Sequence, residues 1–224
     1  MNIIDVVIIL MILCAGVVGL KRGFFKELVL TVGLLLVYII SFKLKNPVAE
    51  FLSYNLPFFH FGGIFNGADV LNIIVYQTIA FLIVFAIVMI VFRVVLALTG
   101  ALEKLLDFTI ILAIPSKIGG FIVGIIEGYI VMFLVLFVLS QPFFRIDIVE
   151  QSKYREPILN SSPVLSSIAT NTNKAIKDIY EVEKEFVENK DVNYFNQKTL
   201  EILLKYDIVD DNYVAKLREL GKIS

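Results

Sequence analysis

The chain has 224 residues, of which 58% are hydrophobic and 18% charged, with a net charge of -1 and one cysteine. A soluble domain is nearer 45–50% apolar and about 25% charged, so this composition excludes a disordered chain, a nucleic-acid binder and a disulfide scaffold. The average hides two unlike parts, because residues 1–140 hold 15 charges and residues 141–224 hold 26. We therefore expect an all-α integral membrane protein in which four transmembrane helices (residues 1–140) are followed by a linker (141–173) and a small soluble helical tail (174–224).

A helix crosses a bilayer with about 20 mostly apolar residues, and four stretches qualify: Ile3 to Leu20, Glu27 to Leu44, Leu71 to Leu98 and Ile118 to Ser140. Unpaired backbone amides are costly in hydrocarbon, so each span must be helical. The first lacks a positive n-region and a cleavage site and is read as a span, not a signal peptide. Cys14 within it reads as a small hydrophobe packed in a helix. The second is strictly apolar only from Leu28 to Phe42 and spans if Lys43 and Lys45 snorkel to the interface.

Between the first two spans lies a basic turn containing Lys21, Arg22, Gly23 and Lys26. Basic loops stay cytoplasmic, which places the N-terminus outside and, after four spans, the tail outside as well. The total bias is modest. Lys21, Arg22, Lys26, Arg93, Lys104 and Lys117 give 6 cations inside; Lys43, Lys45, Arg145, Lys153 and Arg155 give 5 outside.

The connection after the second span is aromatic, with Phe51, Tyr54, Phe58, Phe59, Phe61 and Phe65. It reads as a segment in the headgroup region, with a re-entrant gate as the alternative, and with Tyr38, Tyr76 and Tyr129 it would supply the interfacial belt. After the third span, Leu105 to Ile114 is too short to cross and reads as an interfacial or half-inserted helix.

Three charges belong to the spans. Asp5 opens the first, Arg93 lies near the inner end of the third, and Glu127 is about 13 Å into the fourth. Arg93 would lie about 9 Å from the same side, so we expect the two to pair, either as a register-fixing ion pair or as part of a proton or ion site. Asp5 is read as complementing a helix dipole. Gly120, Gly124 and Gly128 recur every four residues on the fourth span and give it a face without side chains, suited equally to packing within the chain and to a homo-oligomer. Gly19 and Gly23 form a weaker pair.

The tail changes character. Gln141 to Asn173 is rich in Ser, Thr and Asn and holds Pro142, Pro157 and Pro163, the signature of a linker. Lys174 to Asn189 is amphipathic, with Ile176, Ile179, Tyr180 and Val187 on one side. Shorter helices follow at Asn196 to Tyr206 and Asp211 to Leu220, the latter capped by Asp210 or Asp211 and ended by Gly221. Leu200, Leu203, Leu204, Val214, Leu217 and Leu220 would cluster. With 12 basic against 14 acidic residues over 141–224 there is no basic face for nucleic acid, and contact with an envelope protein partner or plain solvation is preferred.

The chain resembles the colicin V production protein (CvpA) family of small bacterial inner-membrane proteins. The resemblance rests on Asp5 opening the first span, on Gly19-Leu20-Lys21-Arg22-Gly23-Phe24-Phe25-Lys26-Glu27-Leu28, and on Pro115-Ser116-Lys117-Ile118-Gly119-Gly120-Phe121-Ile122-Val123-Gly124; it covers about residues 1–165. It departs at Glu127, where relatives tend to carry a basic residue. The resemblance implies a role in toxin production or export and in envelope fitness. Relatives can carry an outer serine protease domain. Here a single histidine, His60, is too few for a two-histidine zinc site, and the short tail has no room for a protease domain around it, so neither enzymatic activity nor a cofactor is expected. Two readings remain. In one, a transport or channel role runs past Glu127 and Arg93, gated by residues 51–65 and 105–115; in the other, a membrane scaffold presents its tail to a partner.

Overall fold

The computed structural model describes residues 2–99, 113–144, 146–161 and 164–223. These form nine α-helices and one 3-10 turn, with no strand among the described residues. Four of the helices are long and apolar enough to cross a membrane: α1 (Ile3–Arg22), α2 (Phe24–Asn55), α3 (Leu71–Thr99) and α4 (Ala113–Leu139). The expected segment at 105–114 lies outside the described residues, apart from its last two positions, which begin α4.

Local sequence explains the helix ends. Asn2 and Asp5 form a reciprocal capping box on α1, each side chain accepting the other's backbone N–H. Gly23, at φ 81°, ends α1 and starts α2 in a conformation that a side chain would strain, which is why the turn is one residue long. Pro115 sits in the first turn of α4, where no intrahelical N–H is needed. At 32 residues, α2 is about 48 Å long, longer than an apolar layer of about 30 Å needs.

The bundle pairs α1 with α4 and α2 with α3, with α4 also against α2. Its centre is aromatic: Tyr38, Phe81, Phe133 and Phe137 are all buried, with edge-to-face ring contacts such as Tyr38 to Phe133 at 5.8 Å. Outward faces carry Val7, Leu10, Ile87, Ile90 and Ile122, the apolar coat that a lipid-facing surface requires. Cys14 is on this outer face; it is not packed inside, because Gly16 and Gly19 take the inward positions of α1. The N-terminus, the 56–70 connection and the tail share one end of the bundle, and the Gly23 turn lies at the other.

Residues 141–173, expected as a linker, hold α5 (Asp147–Glu150), α6 (Arg155–Ser161) and the first third of α7 (Leu165–Asn189). Their apolar positions Val149, Ile158, Leu159, Leu165 and Ala169 join the bundle core, and Pro157 is absorbed in the first turn of α6. Then come α8 (Val192–Lys205) and α9 (Asp211–Glu219). Asp191 caps α8 and Asp210, not Asp211, caps α9, each accepting an N–H three residues on. Gly221 adopts φ 67° and ends the last helix as its sequence position suggests.

The aromatic connection does not lie free in the headgroup region. Phe65, Ala68, Val70 and Leu71 form one core with Ile179, Phe186, Phe195, Leu203 and Leu217 of the tail, and Phe58 and Phe61 pack against it. Burying each large ring contributes about 1.5–3 kcal/mol, which favours docking on the tail over a solvated loop. Phe51 and Phe59 stay exposed, as does Leu220, outside the expected cluster.

The expected tyrosine belt is also replaced. Tyr38 and Tyr76 are buried, and their hydroxyls donate to the carbonyls of Leu165 (3.1 Å) and Pro57 (2.6 Å); half-buried Tyr129 donates to Ile158 (3.4 Å). A hydroxyl inside a helical bundle needs an acceptor, and the extramembrane segments provide one. Lys45 does not snorkel. It is buried and donates to Gln77 and Asn46, with its ammonium 5.1 Å from the centre of the Phe42 ring.

Candidate site where the first turn meets the glycine-rich helix

The two sequence segments behind the family resemblance meet in space. Gly120 of α4 faces Gly19 of α1, so a Cβ on either would overlap the other's carbonyl oxygen. A Cβ on Gly124 would lie 2.5 Å from the carbonyl oxygen of Ala15, and one on Gly128 2.8 Å from the Ala15 Cβ. The side-chain-free face of α4 is therefore taken up inside the chain, backbone against backbone. At the turn, the Phe24 amide donates to Ser116 Oγ at 3.1 Å, giving an otherwise unpaired helix-start N–H a partner. The Phe24 ring covers Gly119, whose Cβ would come 2.8 Å from it.

Beside this seam lies a charged cluster. Arg22 Nη1 is 3.3 Å from Glu27 Oε2 and 3.5 Å from Glu127 Oε2, so one guanidinium nitrogen serves two carboxylates on two helices. The Glu27 side chain is 0% exposed and that of Glu127 21%, and each turns one oxygen to the same Arg22 nitrogen. Glu27 Oε1 has no hydrogen-bond partner and points at Gly19, 3.0 Å from where a Cβ would sit.

The expected pairing of Glu127 with Arg93 is not formed. Arg93 lies on an exposed face of α3 and acts on Glu127 through its field alone, whereas Arg22, at the end of α1, reaches directly across the seam. Of the basic turn, Arg22 and Gly23 belong to the site, while Lys21 is exposed. Ranking intramembrane charges by depth passes over Glu27, because it sits at a span's edge; its register to Arg22, five residues back across a one-residue turn, is the signal that could have found it.

Asp5 belongs to the opposite end. It is fully buried, and beyond its capping bond it accepts from Ser152 Oγ at 2.7 Å and the Lys153 amide at 2.9 Å, while Asn2 Nδ2 donates to the Ile148 carbonyl at 2.7 Å. The dipole role is thus joined by a clamp on the start of the tail. A second clamp was invisible in the sequence: Lys222 donates to the carbonyls of Ser53, Tyr54 (3.0 Å) and Leu56 (2.7 Å), capping the C-terminus of α2.

Searches of curated proteins and of solved structures each find no match. A family model, the Colicin V production protein, matches residues 4–163, a stretch holding all four membrane-span helices, the Arg22–Glu27–Glu127 cluster and the Asp5 clamp. The chain is a multi-pass membrane protein belonging to the Colicin V production protein family.

Proposed function

We propose that this protein is an assembly component of the bacterial inner membrane, serving toxin production or export and envelope homeostasis, with its N-terminus and tail on the extracytoplasmic side. The observation that carries this reading is the fixed docking of the tail on the bundle through Asp5, Tyr38, Lys222 and the shared aromatic core. An anchor that presents a partner surface in one orientation needs such a joint. A groove of about 820 Å³ on that surface, lined in part by Asn193, Asn196, Gln197, Glu201 and Arg218, offers side-chain amides and both charge signs to an envelope protein. Sidedness is tested by fusions after Ser224: active alkaline phosphatase and a dark fluorescent protein are expected, and the reverse pair overturns it. The role is tested in a deletion strain by measuring toxin export. The wild-type chain should restore it, and a double variant Asp5→Ala/Lys222→Ala, inserted at normal level, should not; equal rescue by both argues against presentation by the tail.

A second reading, a small transporter, is favoured by the Arg22–Glu27–Glu127 cluster, since ionisable groups inside a membrane commonly mark ion or proton routes. Liposomes carrying the purified chain decide between the two. Solute-specific flux above that of empty vesicles would select transport.

A further inference from the structure

Glu27 and Glu127 approach from α2 and α4, and among the described residues the only cation within ion-pair distance of either is Arg22 of α1. Arg93 of α3 adds a field without contact. Both short contacts run to the same Arg22 nitrogen and to one oxygen of each carboxylate. The second Glu27 oxygen is wholly buried without a donor, and a buried unpaired acceptor on an ionised carboxylate is among the costlier defects a protein can hold. Two carboxylates that must share one guanidinium nitrogen repel each other in a medium that screens poorly. One added proton relieves the repulsion. It neutralises one carboxylate and leaves one negative charge opposite Arg22.

We propose that Glu27 and Glu127 hold a single proton between them, making the turn end of the α1–α2–α4 junction a one-proton binding site. Glu127, partly exposed, is the door through which the proton exchanges, and Glu27, closed off against Gly19, is the inner acceptor. Loss of the proton places a second charge beside the α1–α4 seam, which ties proton occupancy to the backbone contact between Gly19 and Gly120.

The test is infrared spectroscopy of the full-length chain in lipid nanodiscs, reading the carbonyl stretch of a protonated carboxylic acid. In neutral buffer the wild type should show this band at one carboxyl per chain, shifted by deuterium exchange and lost on raising the pH. Glu27→Gln and Glu127→Gln should each abolish it, because the remaining carboxylate then has Arg22 to itself. Absence of the band in the wild type overturns the proposal without any variant. A band persisting in either folded glutamine variant, checked by size-exclusion profile, overturns it as well. The result does not depend on whether the assembly role holds, since it reads occupancy and not toxin export.

Discussion

The α1–α4 seam and the joint between bundle and tail hold the molecule together by opposite means. In the seam, Gly19, Gly120 and Gly124 bring backbones into contact, so nothing flexible stands between the helices and a single added methyl has nowhere to go. In the joint, Phe65, Phe186 and Phe195 interleave and polar side chains such as Asp5 and Lys222 reach across to backbone groups. Side-chain contacts can shift rotamers and share a loss among neighbours; backbone contacts cannot. The seam should therefore fail abruptly on substitution, and the joint by degrees.

The largest effect is expected at the seam. Gly124→Val should destabilise the chain by about 3 kcal/mol, the upper range for overpacking, and lower the yield of monodisperse protein in detergent. Gly62→Ala, at a position with no neighbour near its Cβ, is the control that should unfold like wild type. If the two unfold at the same temperature, the close approach of α1 and α4 is refuted.

At the joint the expected steps are smaller. Asp5→Asn keeps the shape and removes the charge from an acceptor of three donors, Asn2, Ser152 and Lys153; hydrogen bonds to a charged group support a loss of about 2 kcal/mol. Limited proteolysis should then cut near residues 146–154 while leaving the membrane helices intact. Lys222→Met removes the cap on α2, for about 1 kcal/mol. Burial holds the Lys222 ammonium below its usual range, a desolvation that methionine avoids and that keeps the net loss small.

The sequence made the spans legible because hydropathy over a helix length is a one-dimensional signal, and the glycine spacing on α4 foretold a close contact. The partner of that contact was not legible: α1 offers Gly16, Gly19 and Ala15, whose spacing is unremarkable alone and becomes a surface only when α4 lies on it. The charged pair was mistaken for the same reason. Depth along a helix orders Arg93 and Glu127 correctly but says nothing about rotation about the axis, and rotation is what turns Arg93 outward and brings Arg22 to Glu127. Gly33, whose missing side chain makes room for the Phe92 ring of α3, carried no pattern at all. In the tail, Pro, Ser and Asn content spoke for a linker, and tertiary burial of Val149, Ile158 and Leu165 overrode it.

The smallest effect concerns how the tail helices hold one another. Asp178 of α7 accepts from Tyr206 at 2.8 Å and from Lys205 of α8 at 3.0 Å. Burial works to raise its carboxyl, yet these two partners outweigh it and hold Asp178 below the ordinary carboxylate range. A depressed folded-state value means a contribution fully present above the unfolded-state value and lost as the pH falls through the folded one. Lys205 is exposed and Asp178 half-buried, so the contribution is that of a screened surface bridge. Thermal unfolding followed in acid and at neutral pH should show Asp178→Asn slightly less stable than wild type at neutral pH and the difference closing in acid. A gap that persists or widens on acidification would mean that Asp178 joins α7 to α8 by shape and not by charge.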